Sequence, residues 1–177
     1  MRTVTGVDEI ADAYVKRMIS NVIGKDPLDV LRKTPKRLKR LVKGLKKKQL
    51  YMQPAPGKWS IAQIVHHLAD TEIVLAFRLR MVLAQPGTPL QAMDQDKWAV
   101  GLHYDRADVD EQIELFSTLR RNHLHLWDSL SADDWQKFGI HEERGKETVE
   151  RITQHFAGHD INHLNQIEAI RNTFGKV

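Results

Sequence analysis

Two of the nine histidines in this chain, His159 and His163, stand four residues apart in its last amphipathic segment. The apolar stripe there is Val149, Ile152, Phe156, Ile167 and Ile170, and positions 159 and 163 continue it across the gap. At roughly 100° per residue the two imidazoles lie about 40° apart, one turn above the other, on the face that must be buried. Two imidazoles so placed can chelate one divalent ion, which is how helical H-x3-H half-sites hold zinc. Left unpartnered in a core, each would cost of order 1–3 kcal/mol. The partner can be a metal or hydrogen bonds within the core, and spacing alone admits both.

A metal site needs a third protein ligand, drawn from a facing helix. The segment after Ser60 offers His66 and His67, with a stripe of Ile61, Ile64, Leu68, Leu75 and Val82. His67 lies at the edge of that stripe and His66 points away from it. The expected ligands are therefore His67, His159 and His163, with His66 near the surface. Three histidines with a fourth, solvent-filled position are the usual arrangement of a catalytic metal. His155, one turn earlier, is a weaker ligand candidate, whereas His103, His123, His125 and His141 read as surface or loop residues. Asp160 and Gln166 fall near the metal-bearing side, and Asp160 could equally cap a polar contact between helices. No residue stands out as a general base. Trp59, Trp98 and Trp135 read as packing residues, Trp98 being the best placed to wall a pocket.

Composition narrows the chemistry further. The 177 residues contain no cysteine, which removes disulfides, thiolate ligands and cysteine nucleophiles together. Any thiol must arrive as a cosubstrate. With no apolar leader at the N-terminus and no long apolar run, a cytoplasmic location without membrane contact is expected. The net charge of +4 is local in origin: Arg32 to Lys48 hold ten Lys/Arg and no Asp/Glu, leaving 17 basic and 23 acidic residues elsewhere.

The elements that must position the histidines are helices. Asp8 predicts a first helix running to Gly24; Asp26-Pro27 starts a second, which Pro35 restarts or bends. Gln53 to Lys58 is a loop. Ser60 and Gln63 form a capping box opening a long helix to Ala84. Residues 86–107 lack periodicity and predict a long crossover loop. Asp108 starts a helix through Ile113, Phe116, Leu119, Leu126 and Leu130; a turn carrying Trp135 follows, then another at His141–Lys146. The last helix spans about Glu147 to Thr173. No alternating strands are evident. Length and pattern predict a single domain over residues 1–177, all-α, built as a four-helix bundle with a long crossover between the second and third main helices.

Gly57-Lys58-Trp59-Ser60, Val65-His66-His67-Leu68-Ala69-Asp70 and His159-Asp160-Ile161-Asn162-His163-Leu164-Asn165-Gln166-Ile167 together resemble the DinB-like superfamily, closest to its YfiT/bacillithiol-transferase branch. Met93 to Ala99 and His141 to Gly145 support that branch. The likeness covers roughly Pro35 to Arg171. It implies a four-helix bundle, often dimeric, with zinc or nickel on the residues matching His67, His159 and His163. It further implies a metal-dependent hydrolase, or a transferase using a small thiol of the bacillithiol or glutathione type, acting on a small molecule. The sequence departs from the transferase pattern at Ala157-Gly158-His159, where that branch tends to carry Trp-His.

Two other readings remain from different classes. One is a metal-binding scaffold without catalysis. The other is nucleic-acid binding through Arg32–Lys48, against which stand its amphipathic spacing of Leu38, Leu41, Val42 and Leu45 and its lack of interleaved aromatics.

Overall fold

The computed structural model describes residues 3–106 and 108–175. The first helix, α1 (Ala13–Ser20), is shorter than the expected Asp8–Gly24. Asp12, not Asp8, caps it, its carboxylate accepting from the Val15 amide at 2.8 Å. The residues before it instead form an extended arm in which Val4 pairs with Ile23.

Helix α2 (Pro27–Val42) follows the Asp26 cap as expected and passes straight through Pro35. A proline in a helix interior leaves the carbonyl four residues back without its donor. That carbonyl belongs to Leu31, and Arg120 supplies the donor, its Nη1 standing 3.1 Å from the oxygen. A neighbouring helix thus repairs what the proline breaks, and no restart is needed.

After a short helix α3 (Lys47–Tyr51), the capping box of Ser60 and Gln63 opens α4 (Ile61–Ala84). The crossover expected as an irregular loop contains strand β1 (Pro89–Leu90), helix α5 (Gln95–Gly101) and a 3-10 turn at Tyr104–Arg106. Asp94 starts α5 by accepting from the Asp96 and Lys97 amides. Helix α6 (Val109–Asp128) begins at its Asp108 cap. Strands β2 (Phe138–His141) and β3 (Gly145–Thr148) form a hairpin around the expected turn, with β1 parallel to β2. Strands of two to four residues are too short for alternation to register, so the sequence shows none. Helix α7 (Val149–Asn172) closes the chain.

Helices α2, α4, α6 and α7 form a four-helix bundle. Both α2 and α4 pack against α6 and α7, so consecutive main helices α2 and α4 lie across one diagonal and α6 and α7 across the other. Two apolar clusters fill it. One joins Val15, Ile19, Leu75, Leu79, Val82 and Phe156; the other joins Leu38, Ile61, Leu68, Phe116, Leu164 and Ile167. Between them α4 contributes Asp70, Thr71 and Glu72, and α7 contributes His159, Asp160 and His163. The expected ligand histidines belong to this polar layer at mid-bundle. Among the described residues, no helix is long and apolar enough to cross a membrane.

Candidate metal centre

His67 on α4 and His159 and His163 on α7 are all buried and turn their Nε2 atoms toward one another. The His67 and His159 nitrogens are 3.0 Å apart and those of His163 and His159 are 3.1 Å apart. Ligands on one ion at 2.0–2.1 Å stand roughly 3.0–3.4 Å from each other, between octahedral and tetrahedral angles. The spacing therefore suits a shared ion. It suits hydrogen bonding poorly, because one ring nitrogen cannot both donate to one neighbour and accept from the other.

Electrostatics agree. Burial, then the neighbouring His163 and His66, push the His67 pKa well below its ordinary value; burial, then His163 and His67, do the same for His159. Burial lowers His163 to about 4, against a smaller upward pull from Gln166. All three rings are neutral at pH 7, the state in which imidazole ligates. Gln166 Oε1 lies 2.8 Å from His163 Nδ1, so it can accept that proton and leave the Nε2 lone pair aimed at the cluster. The Nδ1 atoms of His67 and His159 are buried without a hydrogen-bond partner among the described residues.

The other histidines divide differently from expectation. His66 does face away from the cluster, yet it is half-buried rather than on the surface: it stacks on Tyr104 at 4.1 Å and lies 3.7 Å from Asp70. Tyr104 donates to Asp70 at 2.7 Å, so this trio ties the crossover to α4. His155 is buried but outside the three-histidine cluster. His123, expected at the surface, is fully buried, with its Nδ1 2.9 Å from Glu72. His141, expected in a loop, is also buried and lies 3.3 Å from Arg78. Both have partners on other elements, which spacing within one helix does not reveal.

Asp160 makes the interhelical contact considered for it. Arg120, wholly buried, reaches Asp160 at 2.6 Å, Glu72 on α4 and Leu31 on α2. Burial opposes the Arg120 charge, but Asp160 and Glu72 outweigh it and hold the pKa above its ordinary value. This network crosses all four main helices and fixes the rotation of α7 at the residue after His159.

Two cavities reach the cluster. One, of about 230 Å³, is walled by His67, His159, Thr71, Tyr14 and Arg78; the other, of about 480 Å³ and mainly apolar, by His163, Gln166, Trp59 and Ile170. Gln95 borders both. Trp59, not Trp98, is the tryptophan at the site, its ring 4.9 Å from that of His67. Tyr14 and Asp12 also line the first cavity, so the N-terminal segment, which the family likeness does not cover, forms part of the site.

The DinB superfamily model matches residues 31–167. A protein of Oceanobacillus iheyensis, provisionally named a metal-dependent hydrolase, is 25% identical over 152 residues, covering 86% of this chain and 88% of that one. A Bacillus cereus protein of the same provisional name is 26% identical over 137 residues, 77% of this chain and 79% of its own. Among solved structures, YfiT from Bacillus subtilis superposes with a TM-score of 0.80 at 22% identity, covering 85% of this chain and 87% of its own; it is described as a probable metal-dependent hydrolase with an unusual four-helix bundle topology. A mycothiol-dependent maleylpyruvate isomerase superposes with a TM-score of 0.57 at 12% identity, covering 85% of this chain and 60% of its own. At these identities the two structures establish the fold.

Proposed function

We propose that this chain, which belongs to the DinB superfamily, is a metal-dependent hydrolase whose zinc or nickel ion is held by His67, His159 and His163. The observation that carries this reading is the convergence of three buried, neutral imidazoles on one point at ligand spacing. An ion held there would act as a Lewis acid, able to lower the pKa of water and to polarise a substrate carbonyl. The chain's own part is to present three lone pairs, fix the His163 tautomer through Gln166, and keep the rings unprotonated by burial. Asp160 and Glu72 are engaged by Arg120 and are not available as bases. The provisional names of the relatives agree with this reading.

Protein purified without chelator should carry about one divalent ion per chain. His67→Ala, His159→Ala and His163→Ala should each lose most of it, and His66→Ala should keep it, as read by elemental analysis. Equal loss from His66→Ala would show that the ligand set is wrong.

A second reading, transfer of a small thiol, is favoured by one feature: two cavities of different polarity meet at the cluster, which gives each of two substrates a place beside it. With no cysteine in the chain, the thiol would come from solution. Cobalt-substituted protein separates the readings. Consumption of thiol with an added electrophile, lost in His159→Ala, supports transfer. Thiols that only inhibit ester or amide hydrolysis support the hydrolase. A spectrum indifferent to every added ligand means a closed site and a scaffold.

A further inference from the structure

The first cavity follows one face of α4. His67, Thr71, Val74 and Arg78 all line it, spaced at four, three and four residues, so roughly 16 Å of helix axis separates the histidine from the arginine. Arg78 is 7% exposed. Buried cations are ordinarily matched by carboxylates, as Arg120 is by Glu72 and Asp160. Arg78 has no such match among the described residues. Its hydrogen bonds use Nη2 alone, to the Gln91 carbonyl and to His141 at 3.3 Å. Its Nε and Nη1 groups have no hydrogen-bonding partner among the described residues.

The surroundings do not cancel this charge. Arg144 lines the same cavity, and its guanidinium is engaged by Glu147 through paired contacts of 3.1 Å. Burial and then Arg144 push the Arg78 pKa down from its ordinary value, with Glu147, Glu142 and Glu143 pulling the other way. Asp12 lines the cavity too, but its Oδ1 caps α1. Glu143, also in the wall, is solvent-exposed. The cavity thus holds one buried guanidinium with donors to spare and no protein anion bonded to it. A planar carboxylate is the natural complement of that fork.

We propose that Arg78 is the anion-recognition point of this cavity, so that the substrate is a small organic carboxylate whose reacting group lies at the histidine end. The assignment names the substrate class for the hydrolase reading and rests on it. Arg78 is a specificity residue, acting on a part of the substrate remote from the reacting bond, as binding groups at a distance from the chemistry do.

The test is calorimetric binding of benzoate and of its neutral isostere benzamide to the zinc-loaded protein. Benzoate should bind at least tenfold more tightly than benzamide. Arg78→Gln should lose tenfold or more of the benzoate affinity, leaving benzamide binding and zinc content unchanged. Arg78→Lys keeps the charge and the reach toward Gln91, so it guards against misfolding of the glutamine variant; it should still lose several-fold, because an ammonium cannot make the forked contact. Wild-type protein stripped of zinc should retain benzoate binding within a few-fold. Benzoate affinity that survives Arg78→Gln, equal binding of the two probes, or no benzoate binding at millimolar concentration overturns the proposal. Failure of the metal reading looks different: zinc content is then absent while the benzoate measurements stand.

Discussion

One turn before His159, His155 packs edge-on against Tyr14 at 5.5 Å between ring centres. Burial lowers its pKa to about 4, with Glu147 pulling the other way. An unfolded histidine takes up its proton near pH 6.5, so between about 6.5 and 4 the unfolded chain binds more protons than the folded one. The stability His155 contributes is therefore fully present above pH 6.5 and is lost as pH falls toward 4, by an amount on the order of 3 kcal/mol. Denaturant titrations of metal-free protein at steps between pH 7 and 4 should show this slope added to that of His67, His159 and His163, whose pKa values are lowered in the same direction, and His155→Gln should remove its own share. Arg120 is the other residue on which much depends. Arg120→Met leaves Glu72, Asp160 and the Leu31 carbonyl buried without their donor, and should cost about 3–5 kcal/mol in chemical denaturation. These residues also mark what one strand of text can disclose. His159 and His163 were legible because they replace apolar residues within a single stripe. His123 breaks a stripe in the same way, but its partner Glu72 comes from a different helix, so nothing local distinguished it from a surface histidine.

At the scale of the element, the contact that most controls the site is that of α1 on α7. Asn21 donates to the Gly158 carbonyl at 3.1 Å, and a Cβ added at Gly158 would stand 1.8 Å from the Met18 carbonyl oxygen. The missing aromatic before His159 is thus no accident: two helical backbones meet there and only glycine leaves room. Gly158→Ala must push α1 away, and with it Asp12 and Tyr14, which wall the cavity. Overpacking of this kind costs about 1–3 kcal/mol, and more where backbone meets backbone. The variant should melt at lower temperature and bind benzoate more weakly, yet keep its metal, because the clash lies on the α1 side; loss of metal with an unchanged melting point would contradict this. Helices with polar caps and long stripes, α4, α6 and α7, could be placed from sequence to within a few residues. Helix α5 could not, since seven residues make too few turns for a stripe, and neither could the passage of α2 through Pro35, which depends on an arginine 85 positions later.

Across the whole molecule the charge is divided. Helix α2 and the segment after it carry ten basic residues, while the rest of the chain has a net charge of −6. Leu31, Leu38 and Leu41 are buried beneath that basic face, so the helix is committed to the bundle and cannot leave it to enter a groove. Part of the charge is also spent internally. Arg32 meets Asp128 on α6, Arg37 meets Glu168 and Asn165 on α7, and Lys33 meets Asp29 one turn back. Only the remaining cations could release counterions from a phosphate backbone, and each contributes about −0.9 to the slope of log K against log salt. Electrophoretic or anisotropy titrations with duplex and single-stranded DNA should therefore show binding weaker than micromolar at physiological salt, without sequence preference and with a slope of only a few units. Charge reversal at Lys36, Lys39 and Lys43 together should reduce even that, while leaving metal content and benzoate affinity untouched, since none of the three lines either cavity that reaches the histidines. Submicromolar binding at physiological salt, abolished by the same reversals, would mean that the basic face is a nucleic-acid surface in its own right, and the division of the molecule into a chemical centre and a solvated exterior would have to be redrawn.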